Sequence, residues 1–103
     1  MIEILYFEGC PNHEGLETRI RSLIDNAGIH ETITHRRIDS EDQARAEHFL
    51  GSPTIRVNGI DVEPDASRRT SYGLMCRVYA TDEGLRGTPP DKWIINALKQ
   101  ASS

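Results

Sequence analysis

Phe7-Glu8-Gly9-Cys10-Pro11-Asn12-His13 is the stretch whose reading decides the fold. It follows the apolar run Ile2-Glu3-Ile4-Leu5-Tyr6-Phe7 and precedes a helical pattern that starts near His13. Amides at a helix start have no intrahelical partner, and the helix dipole is positive there, so a thiolate is favoured. Cys10 is therefore expected to be an acidic, nucleophilic thiol near neutral pH. Pro11 suits the first helical turn, where a missing N–H costs nothing. The bland alternative for Cys10 is a small buried hydrophobe without reactivity.

Upstream and downstream of that junction the pattern is regular. Residues 2–7 suit a strand buried on both faces. Leu16, Ile20, Leu23, Ile24 and Ala27 mark one face of an amphipathic helix over residues 13–27. Gly28 can take the left-handed cap conformation that ends it. Residues 32–38, Thr-Ile-Thr-His-Arg-Arg-Ile, are rich in β-branched side chains, and their polarity predicts an edge strand. Ser40 and Gln43 have capping-box spacing for a second helix, with Ala44, Phe49 and Leu50 as its apolar contacts and Gly51 as its stop.

Pro53 opens a third strand, Thr54-Ile55-Arg56-Val57. Asn58-Gly59 is a strong two-residue hairpin signal, so Ile60-Asp61-Val62-Glu63 is expected to return antiparallel. Residues 64–75 read as a loop, Cys76-Arg77-Val78-Tyr79 as an extra strand or extended segment, and residues 81–87 as another loop. Thr88-Pro89-Pro90-Asp91 is a helix start, with a cap residue, first-turn prolines and an acid at the positive dipole end. The closing helix, residues 89–100, is expected to bury Trp93, Ile94, Ala97 and Leu98.

The chain has 103 residues, 37% of them hydrophobic, which suits a single domain spanning residues 1–103. Its net charge of −4 argues against nucleic acid as a partner, because phosphate binding needs a basic surface. Arg36-Arg37 and Arg68-Arg69 are isolated pairs expected on the solvated surface. No apolar run approaches the ~20 residues of a membrane span, and the N-terminal residues lack a basic stretch followed by an apolar run, so no signal peptide is expected. The expected location is the cytoplasm, where thiols stay reduced. Two cysteines there point to transient redox or metal chemistry more than to a structural disulfide.

The order β-α-β-α-β-β, a cysteine at the end of the first strand, and Gly51-Ser52-Pro53-Thr54-Ile55 before the third strand together resemble the thioredoxin superfamily. In that superfamily the reactive cysteine opens the first long helix, and a cis-proline faces it. The resemblance covers the first ~60 residues, given the βαβ pattern. It implies an α/β fold with a four-stranded mixed sheet, order 2-1-3-4, flanked by three helices, the first and third on one face and the second on the other. It also implies a cis Ser52–Pro53 bond. The chain departs from the family in two ways. The usual Cys-x-x-Cys reads Cys10-Pro11-Asn12-His13, and about 25 residues are inserted before the last helix, a length that usually marks a functional or mobile loop.

Three residues are the candidates for catalysis. Cys10 is the expected nucleophile towards a disulfide, persulfide or electrophile. His13, one helical turn on, can support the thiolate as a cation or protonate a departing thiol; an exposed first-turn histidine is the plain alternative. Cys76 is a candidate resolving cysteine. If residues 60–63 form the fourth strand, the following loop starts on the sheet edge of Cys10 and Cys76 can approach it. If residues 76–80 form that strand, Cys76 starts at the opposite edge. The sequence leaves both open. Leu74-Met75 before Cys76 leads us to expect burial there. Pro11, Ser52, Pro53 and Thr54 are the residues expected to contact a substrate. Structural zinc is not expected, because only one Cys-x-x-His pair exists. His30, His35 and His48 are scattered and expected at the surface, and Tyr72 and Tyr79 are expected in core packing. No cofactor is called for.

Two functions follow. The first is a small thiol–disulfide oxidoreductase or thiol-transfer protein using Cys10, with a disulfide-containing protein or a small thiol such as glutathione as partner. The second is a non-catalytic binding module that holds an extended peptide at the cis-proline edge by β-addition, or a soft metal or metalloid through its thiolates.

Overall fold

The computed structural model describes residues 1–101. Strand β1 (Ile2–Tyr6) pairs in parallel with β2 (Ile33–Arg37), so that Ile4 lies opposite His35. On its other side it pairs antiparallel with β3 (Thr54–Val57), with Ile4 opposite Ile55. The Asn58-Gly59 turn then folds β4 (Ile60–Asp61) back against β3. The sheet order is β2-β1-β3-β4, the order that the resemblance implies. Strand β4 is two residues shorter than expected, because Val62 leaves the ladder and packs into the core.

Helices α1 (Leu16–Ala27) and α3 (Asp91–Ala101) cover one face of the sheet. Leu16, Ile20 and Ile24 of α1 pack with Ile94 and Leu98 of α3 against Ile2, Ile4, Ile55 and Val57. Arg19 fastens the start of α3 to α1: its Nε donates to Asp91 Oδ1 at 2.6 Å and its Nη1 to Thr88 Oγ1 at 3.0 Å. The short α2 (Glu41–Ala46) covers the other face. There Leu5, Ile38, Ala44 and Phe49 form a second cluster. The central strand thus feeds both layers, Ile2 and Ile4 to one side and Leu5 to the other. The Ser40 hydroxyl caps α2 by accepting from the Gln43 amide at 3.0 Å.

Four local features differ from the sequence reading. The chain does not run from Cys10 directly into α1. Pro11–His13 form a single 3-10 turn, and Gly15 at φ 76° bends the chain before α1 starts at Leu16. Helix α2 stops at Ala46, so Phe49 and Leu50 are buried from the connecting segment rather than from the helix. Residues 79–86, part of which reads as loop, form a hairpin of β5 (Tyr79–Thr81) and β6 (Gly84–Arg86). Trp93 is half-buried, packed edge-on to Tyr79. Among the described residues no helix is long and apolar enough to cross a membrane.

Candidate functional site

Cys10 and Cys76 are bonded as a disulfide, with Cα atoms 5.6 Å apart across 66 residues of sequence. The separation is within the range that a disulfide spans without backbone movement. Of the two routings left open by the sequence, the structure takes the first. Strand β4 is residues 60–61, the loop leaves at the Cys10 edge, and Cys76 arrives beside it. That loop is shaped by a 3-10 turn at Ala66–Arg68, entered through Asp65 in the left-handed region.

Ser52 is the hinge of the site. The Ser52–Pro53 bond is cis, as expected. Ser52 and Cys76 form a parallel β-bridge. The Ser52 amide donates to the Met75 carbonyl, and the Arg77 amide donates to the Ser52 carbonyl, both at 2.8 Å. That carbonyl also lies 3.6 Å from Cys10 Sγ. Gly51 makes this approach possible. Its φ is +120°, and a Cβ there would sit 3.0 Å from the Met75 carbonyl oxygen. The Ser52 hydroxyl is buried without a hydrogen-bond partner among the described residues.

Arg77, next to Cys76, carries the charge that locks the segment down. It is 1% exposed. Its Nη1 donates to Asp61 Oδ2 at 2.7 Å and Thr54 Oγ1 at 3.0 Å, and its Nη2 to Asp61 Oδ1 at 3.1 Å and Glu63 Oε1 at 3.2 Å. The guanidinium lies 4.5 Å from the centre of the Tyr79 ring. Burial pulls the Arg77 pKa down, but Tyr79, Asp61 and Glu63 together outweigh it and hold the group above its usual value. The Tyr79 hydroxyl donates to the Pro53 carbonyl at 2.5 Å. Burial pushes that phenol well above its usual range. Thr54, also buried, donates to the Gly51 carbonyl at 2.7 Å while accepting from Arg77. The proline loop, β4 and the Cys76 segment are thus one hydrogen-bonded unit.

The expected site residues are distributed as follows. Cys10, Cys76, Ser52 and Pro53 converge, and Thr54 supports them from beneath. Pro11 is exposed at the start of the 3-10 turn. His13 lays its ring against Tyr6, centroids 4.4 Å apart. The burial expected at Cys76 is not found, and Cys10 takes the buried place that was its alternative reading. Cys10 is 0% exposed, whereas Cys76 is exposed, flanked by exposed Met75 and Val78. The apolar Leu74-Met75 pair does not bury the cysteine that follows, because Ser52 pairs with the backbone of residues 75–77 and Arg77 takes the inward position.

Arg77, Asp61, Glu63 and Tyr79 are parts of the site that sequence reading missed. A buried arginine leaves no periodic signal. The available clue was the alternation of Arg77 and Tyr79 around exposed Val78. A groove of about 940 Å³ runs along β4 past His48, Tyr72 and Trp93, and neither cysteine lines it. His48 stacks on Tyr72 there, centroids 4.9 Å apart. Among the described residues, no three of His, Cys, Asp and Glu gather as a metal site would require. No family model, curated protein or solved structure matches the chain.

Proposed function

We propose that the protein is a small thiol–disulfide oxidoreductase of thioredoxin-like build, whose redox pair is Cys10 and Cys76. The observation that carries this reading is the pairing itself. Two cysteines 66 residues apart meet at the cis Ser52–Pro53 loop, in a segment seated by contacts that do not involve sulfur. Cys76 thereby takes the place of the missing second cysteine of Cys-x-x-Cys. The β2-β1-β3-β4 order and the division of helices between the faces support the thioredoxin-like assignment.

The net reaction balances as follows. Two external thiols lose two electrons and two protons and become a disulfide, and the Cys10–Cys76 bond takes up both to give two thiols. The reverse direction reduces a partner's disulfide. Each half proceeds through a mixed disulfide between one protein sulfur and the partner. The partner is a disulfide-bearing protein or a small thiol such as glutathione, and a reducing cytoplasm would keep the pair cycling.

Peptide binding by β-addition at the cis-proline edge is less well supported. Both backbone groups of Ser52 are already satisfied, by Met75 and Arg77. A soft-metal role would need the two sulfurs free of each other.

The test is turnover. Glutathione-driven reduction of bis(2-hydroxyethyl) disulfide should be accelerated by the wild-type protein and not by the Cys10→Ser/Cys76→Ser double variant. Equal rates for the two would refute the reading.

A further inference from the structure

We propose that Cys76, rather than Cys10, is the sulfur that exchanges with the external partner, and that Cys10 is the resolving cysteine. This rests on the oxidoreductase reading and assigns its two roles.

The two sulfurs differ in access. Thiol–disulfide exchange requires the attacking thiolate to reach the sulfur it bonds, in line with the bond that breaks. Cys10 has no exposed surface, and its sulfur faces the carbonyl of buried Ser52. Cys76 is exposed, between exposed Met75 and Val78. A thiolate arriving from water meets Cys76 Sγ first. The new bond forms between that thiolate and Cys76, the Cys76–Cys10 bond breaks, and its electron pair leaves on Cys10. A second external thiolate then attacks the partner sulfur of the mixed disulfide, which releases Cys76 and completes the reduction of the pair.

The opposite direction favours the same sulfur. The thiolate that starts an attack on a partner's disulfide must be solvated and mobile enough to meet it. Burial disfavours the charged form of Cys10, and the Ser52 carbonyl at 3.6 Å is an acceptor that suits its protonated thiol. Cys10 caps only a three-residue turn, since α1 begins at Leu16 behind Gly15, so the long-helix dipole does not act directly on it. Cys76 has neither restraint. It attacks the partner's sulfur and expels one partner thiolate. Cys10, passing its proton to solvent, then attacks Cys76 Sγ, expels the second thiolate and restores the Cys10–Cys76 bond.

The anchoring of Arg77 and Ser52 gives this order its return step. With the disulfide open, the hydrogen bonds of the Met75 and Arg77 backbone to Ser52 and the ion pairs of Arg77 to Asp61 and Glu63 remain available. Cys76 therefore stays within reach of Cys10 while it carries the partner.

Trapping decides the assignment. Oxidised wild-type protein is mixed with glutathione, quenched in acid within the first turnover, alkylated, and mapped by mass spectrometry. Glutathione should be found on Cys76 and the alkyl group on Cys10, in at least about tenfold excess over the reverse. As a second measure, Cys10→Ser should form its mixed disulfide with oxidised glutathione at least about tenfold faster than Cys76→Ser, since access governs the rate. Glutathione mainly on Cys10, or the reverse order of the single-variant rates, overturns this assignment and leaves the oxidoreductase reading standing. Absence of an adduct at either cysteine in the wild type and in both single variants overturns both.

Discussion

Ser52 and Cys76 are joined as a parallel β-bridge, although they lie in segments that share no strand. The bridge brings the residue before the cis-proline against the cysteine that closes the disulfide. It depends on the absence of a side chain at Gly51, where a Cβ would press on the Met75 carbonyl at 3.0 Å and on Arg77 Cβ at 3.1 Å.

Gly51→Ala should therefore loosen the bridge. The substitution combines an unfavourable φ of +120° with a backbone collision, and a cost of about 1–3 kcal/mol is expected. The bridge amides, Ser52 and Arg77, should lose hydrogen-exchange protection before those of β1. Unchanged protection at both would show that the segment is not held through this contact.

Arg77→Met should be among the more damaging substitutions. It removes the cation of Asp61 and leaves Glu63 with Arg69 alone, at 2.8 Å. Removal of one partner from a buried ion pair costs about 3–5 kcal/mol, and the lower end applies because both carboxylates reach the surface. Adding Asp61→Asn to Arg77→Met should recover part of the loss, with Glu63 left in place because Arg69 still pairs with it. Urea unfolding of the oxidised proteins measures this. Additive losses in the combined variant would contradict the account of Arg77 as the counter-ion of Asp61.

Tyr79 sets the alkaline limit. Burial raises its phenol above the unfolded value of about 10. Its neutral form is the one the fold keeps, so its contribution is fully present below about pH 10 and is lost as pH rises above that. Ultraviolet titration should find this phenol ionising only together with loss of circular dichroism, and the step should be absent in Tyr79→Phe. Ionisation of Tyr79 with the fold intact near pH 10 would contradict its burial.

Opening the disulfide should cost stability without unfolding the chain. A link across 66 residues restricts the unfolded chain by about 4 kcal/mol on the loop-entropy model. The reduced protein should therefore unfold at lower urea concentration but keep the bridge amides partly protected. Loss of the native circular dichroism on reduction would mean that the segment depends on sulfur alone.

Much of the fold is legible because its signals are local. Asn58-Gly59 sets the hairpin, Ser40 caps α2, and Gly28 ends α1 in the left-handed region. The βαβ unit and the hairpin each set one pairing, while the placement of β3 beside β1 is what the thioredoxin resemblance implies. The start of α1 misleads, because Pro11 and the apolar spacing both suit a helix while Gly15 at φ 76° breaks it. The site is only half legible. Cys10, Ser52 and Pro53 belong to a contiguous pattern, whereas Cys76 arrives by a loop whose route depends on Asp61 and Glu63 receiving Arg77. A charged residue that buries itself against two acids follows no periodicity. For the same reason the exposure of Cys76 is not legible in the sequence: the neighbour that turns inward is the arginine.

The central claim is that Cys10 and Cys76 form one reversible redox pair. The most direct measurement is equilibration in glutathione buffers of graded potential, followed by acid quench, alkylation and peptide mapping of both cysteines. The account predicts that the two become alkylated together, in a single two-electron transition that retraces on reoxidation, with the linked Cys10–Cys76 peptide as the oxidised species. Separate transitions for the two cysteines, each ending as a glutathione adduct with no linked peptide, would contradict it.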